Sequence, residues 1–416
     1  MVLAIDAGLL AGKMKLDQWK SAKEIERIQE RKLKALFAYA SENVPYYRKT
    51  LNGISVNSLE DLAQIPILNK TDVQREPESF LSRMYDKKSL VAAHTSGSTG
   101  TPLPVYHSKA ESAYGLAFEC HHLLEAGASP FDLQARVTYY RSEPDLLQKL
   151  GIFRCVYLNV QDSEQNLLDK LAKIKPSVLC TNASVLYSLA RLNDTRGLKM
   201  KRVLSSAEVL LPQRKAIIER SFGCPVFDRY GCMETSWIAF QCEKGSMHVH
   251  SDHMIVEIVD DEGKPVPRGK AGNLIITPLW QRAMPFIRYA IGDRASFGPG
   301  CACGRGLQTL ANLEGRSDDF IVLPSGRMRS ARSINLMDDV EGLSAYQIIQ
   351  EEKDRFVFRF VSSGSGIDEK TKIEISRRIR HGCLDEPVKV EFEEASKIER
   401  GHSGKIRAVI SKVRLA

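Results

Sequence analysis

The sequence contains no apolar run long enough to cross a membrane and no low-complexity tract. Its N-terminal stretch is apolar, but Asp6 interrupts it, and it falls well below the roughly 18–20 apolar residues that a membrane span needs. No positive segment precedes this stretch and no convincing cleavage site follows it, which argues against a signal peptide. We therefore expect a cytoplasmic protein without a membrane partner.

Lysine and arginine are not gathered into a basic block, and the cysteines do not form a paired framework. The net charge is +8 and the pI is near 8.9. Because the basic residues are scattered through the whole chain, we favour a basic enzyme with a phosphorylated substrate over a nucleic-acid-binding protein. The nine cysteines are an odd number, and only Cys301 and Cys303 are close neighbours. This pattern argues against disulfides and leaves free thiols or a metal site.

The length of the chain and its periodicity predict an α/β fold in two domains. A chain of 416 residues exceeds one ordinary core, because cores stop growing beyond roughly 250–300 residues. Between 90 and 315, apolar strand-like runs alternate with helical patterns, which is typical of doubly wound parallel sheets, and a β-rich section lies at 253–279. The last hundred residues contain strands around a helix near 367–381. We predict a large N-terminal domain over 1–315 and a small α+β C-terminal domain over 316–416.

The most informative segment is the loop TSGSTGTP at 95–102, which follows a strand-like run and precedes a helical pattern. Small residues let the backbone close around oxyanions, and hydroxyl and backbone N–H groups donate hydrogen bonds to them. The loop is not a GxxxxGK[ST] P-loop, because no lysine follows its second glycine. Its position favours phosphate binding over a flexible Ser/Gly linker. The predicted phosphate-binding residues are Thr95, Ser96, Gly97, Ser98, Thr99 and Gly100.

Four further segments follow this loop: YGCMET at 230–235, RYAIGD at 288–293, GRSDD at 315–319 and GKIR at 404–407. Taken in this order and with these separations, the five segments resemble the adenylate-forming superfamily. Within it the chain resembles the phenylacetate–CoA ligase group, which the segments ENVPYYRKTL and MPFIRYAIGD resemble in particular. The resemblance runs over essentially the whole chain.

This resemblance implies an acid–thiol ligase of the AMP-forming acyl-CoA synthetase type. Such an enzyme uses ATP and Mg²⁺ to convert a small carboxylic acid, here of the aryl or arylacetic kind, into an acyl-adenylate, and then transfers the acyl group to coenzyme A. Two alternatives stay open. In the first, the acyl-adenylate reacts with an amine, or the nucleotidyl group is transferred to a cofactor hydroxyl. In the second, the chain is a non-catalytic nucleotide- or acyl-binding protein. The expected partners are the acid and coenzyme A, without nucleic acid, and a homodimer is a further expectation.

The resemblance also assigns residues to the nucleotide. The loop at 95–100 would hold the β- and γ-phosphates of ATP. Glu234, a catalytic residue by this assignment, would bind the Mg²⁺ that neutralises them, since a hard cation prefers a carboxylate. Tyr230 would stack on adenine. Asp293 would accept hydrogen bonds from the ribose hydroxyls, and Arg316 would reach the same sugar.

The resemblance also assigns residues beside the adenine, a catalytic lysine and a hinge between the domains. Ala207 and Glu208 fall where the family's backbone passes the adenine, and Gly231 belongs to the same nucleotide site. Lys405 is the predicted catalytic residue for adenylation, because a positive charge aimed at the α-phosphate and the attacking carboxylate stabilises the charge that builds as pyrophosphate leaves. Asp318 would be the hinge about which a mobile C-terminal domain turns.

A second group of residues has the chemistry of a structural zinc site. Soft thiolates and an imidazole suit the tetrahedral coordination that structural Zn²⁺ prefers, although Cys-x-Cys is tighter than the usual Cys-x2-Cys. The simpler interpretation is four ordinary buried or free side chains, and His250 and His253 are rival ligands. The predicted ligands are Cys242, His248, Cys301 and Cys303.

Several residues make the acyl substrate harder to infer. Leu103 stands where many adenylate-forming enzymes have a lysine, and Met233 stands where a small hydroxyl residue is common. The adjacent His121 and His122 are candidates to line the acyl pocket, but such a pair on a helix is more often one buried and one solvated residue. An aromatic wall for an aryl substrate is a further candidate, although aromatic side chains in such elements are more often core. Its residues would be Phe118, Tyr139 and Tyr140.

Overall fold

The computed structural model describes residues 2–94, 103–138, 146–160, 162–192, 195, 197–316, 320–326, 328–330, 334, 337, 340–363, 366–399 and 408–413. The helices are α1 Val2–Asp17, α2 Ala22–Asn43, α3 Pro45–Thr50, α4 Lys70–Arg75, α5 Lys109–Glu125, α6 Leu146–Lys149, α7 Glu164–Ile174, α8 Ala183–Arg191, α9 Pro212–Phe222 and α10 Glu369–Gly382. The strands are β1 Val91–His94, β2 Pro104–His107, β3 Gln134–Thr138, β4 Cys155–Asn159, β5 Val178–Asn182, β6 Arg202–Ser206, β7 Val226–Cys232, β8 Ser236–Gln241, β9 Met247–Val249, β10 Met254–Val259, β11 Gly272–Pro278, β12 Tyr289–Phe297, β13 Thr309–Arg316, β14 Phe320–Val322, β15 Met328–Ser330, β16 Leu343–Glu352, β17 Arg355–Ser362, β18 Lys389–Glu394 and β19 Val409–Ser411. Within this part of the chain, none of the helices has the length and apolar character of a membrane span.

Capping boxes fix the starts of α2 and α5. At α2, the Ser21 hydroxyl accepts a hydrogen bond from the Glu24 backbone N–H, and the Glu24 carboxylate accepts one from the Ser21 N–H. The same exchange joins Ser108 and Glu111 at the start of α5. Pro45 follows α2 closely and excludes the preceding residue from helical geometry. The boxes place both helices where the sequence pattern predicts helices.

The largest sheet has eleven strands in the order β10-β11-β12-β13-β9-β8-β7-β6-β5-β3-β4. Strands β3 to β7 pair parallel with one another and are connected by helices. Strand β8 pairs antiparallel with β7, and the pairs among β8 to β13 are antiparallel as well. The predicted α/β fold with a β-rich part is therefore confirmed, and the two parts share one continuous sheet.

The first strand-like run, which was expected to join the parallel sheet, does not do so. Strand β1 pairs antiparallel with β2 in a separate two-stranded ribbon, with Val91 opposite His107. The two strands are close in sequence and are followed at once by α5. A hairpin-like pairing of neighbouring segments is the local alternative to a parallel crossover, which requires a dozen or more residues.

Apolar side chains of the crossover helices cover the parallel part of the sheet. Leu171 on α7, Leu186 on α8 and Phe222 on α9 belong to one buried cluster with Val203 on β6 and Val226 on β7. Each of these side chains is at most 3% exposed. Their burial holds the carboxyl ends of β5, β6 and β7 at a common edge, where the predicted site residues lie.

The C-terminal region forms its own four-stranded sheet, in the order β18-β17-β16-β19. Ile375 and Ile379 of α10 pack with Phe356 and Phe358 of β17 in a separate buried cluster. Strand β13 ends at Arg316, and this cluster begins at Ile321. The boundary between 315 and 316 stays a prediction.

The two regions contact each other through α8, α9 and β16. The Arg191 guanidinium donates a hydrogen bond to the Leu343 carbonyl at 3.1 Å. The Arg214 guanidinium donates to the Tyr346 hydroxyl at 3.4 Å and lies over the Tyr187 ring, 5.1 Å from its centroid. Arginine side chains of the large sheet's helices thus touch the C-terminal sheet directly.

Candidate functional site

Several predicted site residues meet at the carboxyl edge of the parallel strands. Ala207 and Glu208 directly follow β6, Tyr230 and Gly231 lie near the end of β7, and Glu234 lies in the turn to β8. Strands β6 and β7 are parallel, so their ends lie side by side. In open α/β sheets, ligands bind in the crevice outside the carboxyl ends of the strands.

The segment after β6 is held in an uncommon conformation. Ala207 has φ of +69°, in the left-handed region that few non-glycine residues adopt. The Glu208 carboxylate accepts hydrogen bonds from the Ser184 backbone N–H at 2.7 Å and from the Ser184 hydroxyl at 2.9 Å. The Glu208 side chain therefore caps the start of α8. The part of Glu208 that runs along the edge of the strands is its backbone.

A hydrogen bond joins two of the distant motif segments. The Tyr230 hydroxyl donates to Oδ2 of Asp293 across 63 positions of the chain. Asp293 lies on β12 and pairs with Arg316 on the neighbouring strand β13. The structure therefore brings Tyr230, Asp293 and the backbone of Arg316 together, as one nucleotide site would require.

Glu234 is buried beside these residues, with 3% of its surface exposed. Its Oε1 accepts a hydrogen bond from the Tyr289 hydroxyl at 3.2 Å, and its backbone carbonyl accepts one from the Gln281 side-chain amide at 2.7 Å. A buried carboxylate whose position is fixed in this way is a suitable ligand for Mg²⁺. The Mg²⁺ role of Glu234 stays a prediction.

Gly231 lies where the backbone of the next strand comes close. A Cβ at this position would lie 2.6 Å from the Ser236 carbonyl oxygen and 3.0 Å from the Trp237 Cα. Both atoms belong to the backbone and cannot move aside easily. Glycine is therefore required by the packing of β7 on β8, independently of any contact with a nucleotide.

Several predicted residues lie outside the part of the chain that the structure describes. These are the phosphate loop at 95–100, the hinge residue Asp318, the catalytic Lys405, and Tyr139 and Tyr140. Phe118 is described and is buried in a core cluster with α1, which favours the core interpretation over an exposed aromatic wall.

A buried charge cluster below the site was missed at the sequence level. Oε2 of Glu119 on α5 accepts hydrogen bonds from the guanidinium groups of Arg136 on β3, at 2.6 Å, and Arg229 on β7, at 2.9 Å. Burial raises the pKa of Glu119, but the two arginine charges outweigh it and leave the pKa below its ordinary value. Arg229 also lies over the Trp237 ring, 4.5 Å from its centroid. The sequence does contain a signal for this cluster, because an arginine within an apolar strand needs a buried partner, and Arg136 and Arg229 lie within two such strands.

The four predicted zinc ligands lie together. Their ligand atoms are all within 4.8 Å of one another. The Cys242 and Cys301 sulfurs are 3.7 Å apart, and the Cys303 sulfur is 3.3 Å from Nε2 of His248. With Zn–S near 2.3 Å and Zn–N near 2.0–2.1 Å, tetrahedral geometry places such atoms about 3.8 Å and about 3.6 Å apart. Three thiolates and one imidazole at these distances fit a closed structural zinc site.

The rival histidines have other neighbours. Nδ1 of His253 lies 2.7 Å from the Asp252 carboxylate, and His250 lies beside His121 and His122. The expectation that one of the latter two is solvated is wrong, because His121 is 1% and His122 is 2% exposed. Helix α5 is covered by α1 and also contacts β8, so neither histidine reaches solvent.

Comparison with known proteins identifies related families and enzymes. A family model described as AMP-binding enzyme matches residues 148–278, and one described as CapK C-terminal domain matches residues 325–412. The phenylacetate-coenzyme A ligase of Thermus thermophilus is 28% identical over 321 residues, 72% of each chain. That of Escherichia coli is 26% identical over 92% of this chain and 86% of its own length. Protein CapK of Staphylococcus aureus is 21% identical over 95% and 91%.

Solved structures with this fold include a 2-hydroxyisobutyryl-CoA ligase in two states. In the postadenylation state with an acyl-AMP, the TM-score is 0.80 at 21% identity, over 95% of this chain and 91% of that chain. In the thioesterification state with the acyl-AMP and CoA, the TM-score is 0.66 at 22% identity, over the same shares.

Proposed function

Because the chain belongs to the adenylate-forming superfamily, as a phenylacetate–CoA ligase-like member, we propose that it is an AMP-forming acid–thiol ligase. In the first step the carboxylate of the substrate attacks the α-phosphorus of ATP, and pyrophosphate leaves. In the second step the coenzyme A thiol attacks the acyl carbon, and AMP leaves. The observation that carries the proposal is the hydrogen bond between Tyr230 and Asp293, which unites two distant motif segments at the sheet edge.

The chain's own residues give the nucleotide its position. Tyr230 offers a ring face to adenine, and the backbone at Ala207 and Glu208 runs beside it. The Asp293 carboxylate only accepts hydrogen bonds, so it suits the two hydroxyls of ribose. Arg316, its neighbour across the β12–β13 pair, reaches the same sugar. Holding the nucleotide in one orientation lowers the entropic cost of the in-line attack.

Charge stabilisation would come from three separate segments of the chain. The loop at 95–100 would donate to the β- and γ-phosphates, and Glu234 would bind the Mg²⁺ that supplies counter-charge to them. Lys405 would place a positive charge beside the α-phosphate and the attacking carboxylate, where negative charge builds as pyrophosphate leaves. No covalent enzyme nucleophile is required, because the adenylate is itself an activated mixed anhydride.

The two steps use two positions of the C-terminal domain, 316–416, relative to the N-terminal domain, 1–315. The higher similarity to the postadenylation arrangement supports a domain position suited to adenylation here. Asp318 is the hinge, and the contact of Arg214 with Tyr346 belongs to the adenylation position. Rotation would break that contact and admit the thiol.

Structural Zn²⁺ at Cys242, His248, Cys301 and Cys303 completes the proposal. Four protein ligands leave no open position, so the ion stabilises the fold and takes no part in the reaction. The acid is of the aryl or arylacetic class, with the 2-hydroxyacyl substrate of the structural relative as a second class to test. A cytoplasmic location and a homodimer are consistent with this activity.

The test is pyrophosphate release with Mg·ATP across a panel of aryl, arylacetic, 2-hydroxy, fatty and amino acids, each with and without coenzyme A. Acid-dependent release followed by an acyl-CoA product, identified by mass, supports the proposal. An amide product would identify an amine as the acceptor in place of coenzyme A, and a nucleotidylated product would identify a hydroxyl. ATP binding without release for any acid would favour a binding protein.

A further inference from the structure

Three buried histidines from two parts of the chain converge beneath the large sheet. His121 and His122 lie on α5, and His250 follows β9; none is more than 2% exposed. One ring nitrogen of each lies within 4.8 Å of the other two. The Nε2 atoms of His122 and His250 are 2.8 Å apart, and their ring planes are inclined by only 18°. One nitrogen of each ring thus lies close enough to the other two to share a single ligand.

Most of the remaining ring nitrogens lack a hydrogen-bond partner. Among the described residues, both ring nitrogens of His121 and Nδ1 of His122 are buried without a partner. A buried unsatisfied polar atom costs about 1–3 kcal/mol, and native proteins contain few of them. The His121 nitrogen that lies within 4.8 Å of the other two rings is therefore a buried atom whose partner the described protein atoms do not supply.

The residues around the three histidines favour uncharged imidazoles, and they include a carboxylate whose negative charge would balance part of the charge of a bound cation. Phe118 and Phe240 pack against His250, with ring centroids 4.5 Å and 5.0 Å away. Burial among these rings disfavours the charged form of an imidazole, so each ring keeps a lone pair for a ligand. The Glu125 carboxylate lies 3.9 Å from Nε2 of His121. This separation is too long for a hydrogen bond, and the carboxylate oxygens accept from Gln18 and Arg305. Glu125 therefore contributes a nearby negative charge that favours a bound cation.

We propose that His121, His122 and His250 form a second metal site, which binds a divalent transition ion, Zn²⁺ in the first instance. Three imidazoles are a common protein set for Zn²⁺, with water as the fourth ligand. The site shares no residue with the predicted cysteine-rich site, and it does not depend on the proposed enzymatic function. It ties α5, the helix after the phosphate loop, to the segment after β9.

Metal binding requires a small rearrangement of the histidine pair. Tetrahedral Zn²⁺ with Zn–N near 2.0–2.1 Å separates two ligand nitrogens by about 3.3 Å, which is about half an ångström more than the present 2.8 Å. The N–H shared between the two Nε2 atoms moves to Nδ1 of its own ring, so both rings stay neutral and no net proton is released. The ion then takes the place of the hydrogen bond.

The experiment measures zinc content of the full-length protein after saturation with Zn²⁺ and gel filtration. Wild type is expected to hold two equivalents, His122→Gln one, and Cys301→Ser/Cys303→Ser one. His381→Gln is the matched control, because its side chain is 80% exposed and its loss should leave two equivalents. Circular dichroism of each variant checks that it is folded.

Cobalt spectroscopy distinguishes the two sites without relying on the variants' stability. Co²⁺ in wild type should give thiolate charge-transfer bands and, at a second equivalent, tetrahedral ligand-field bands that add no further charge transfer. Equal metal content in wild type and in folded His122→Gln would overturn the proposal and leave an inert hydrogen-bonded histidine pair.

Discussion

Replacing Glu119 by glutamine tests how strongly the charge cluster below the site holds the fold. The carboxylate accepts from Arg136 and Arg229, and the side chains of Glu119 and Arg229 are only 14% and 4% exposed. Removing one partner of a buried ion pair costs about 3–5 kcal/mol, because it leaves an uncompensated buried charge. Arg136 is 24% exposed and glutamine can still accept one hydrogen bond, so we expect about 3 kcal/mol, the low end of that range.

The assay is equilibrium unfolding in urea, followed by tryptophan fluorescence. All three tryptophans precede residue 316, so the signal reports the large N-terminal region. Glu78→Gln is the control, because Glu78 forms an exposed pair with Lys87 and its loss should leave the unfolding free energy unchanged. A loss of less than about 1 kcal/mol in Glu119→Gln would place the cluster among ordinary surface pairs and refute the reasoning.

The pH dependence of the same variant gives a second check. The pKa of Glu119 is lowered in the folded state, so its contribution to stability is present above the carboxyl group's ordinary pKa and is lost as the pH falls through the folded value. The stability difference between wild type and Glu119→Gln should therefore be constant at neutral pH and shrink in acid. A difference that grows in acid would contradict the assigned charge state.

Three further predictions concern other parts of the molecule. Burial raises the pKa of Asp228 to about 7, so wild-type stability should fall as the pH rises from about 4 to about 7; Asp228→Asn should remove that decline in urea unfolding at a series of pH values. Cys301→Ser should lower the zinc content by one equivalent and lower the unfolding midpoint, measured by metal analysis and thermal unfolding. Arg214→Ala removes the contact with Tyr346 and should slow adenylation several-fold while sparing thioester formation from supplied acyl-AMP, in separate assays of the two half-reactions.

The sequence was sufficient to predict the fold class, because hydrophobic periodicity is a local property and the order of the motifs can be read directly along the chain. The alternation of strands and helices predicted the parallel strands β3 to β7. The cysteine and histidine pattern predicted a cluster in which Cys242 and Cys301 are 59 positions apart. The pairing of β1 with β2 was not predicted, since a short apolar run does not specify its partner.

The interior of the site depended on packing that no local pattern encodes. Both His121 and His122 are buried because α5 is covered from two sides, which a single helical periodicity does not reveal. The cluster of Glu119 and its arginines joins a helix to two strands, and such contacts exist only in the folded chain. The hydrogen bond between Tyr230 and Asp293 has the same character.

The most direct test of the central claim is acid-dependent ATP–pyrophosphate exchange, measured for wild type and Lys405→Ala at saturating Mg·ATP with the most active acid of the panel. We expect exchange in wild type that depends on the acid, and a loss of at least about a hundredfold in Lys405→Ala, the size of effect seen when one oxyanion-stabilising group is removed. Undiminished exchange in the variant, or no exchange with any acid while ATP still binds, would contradict it.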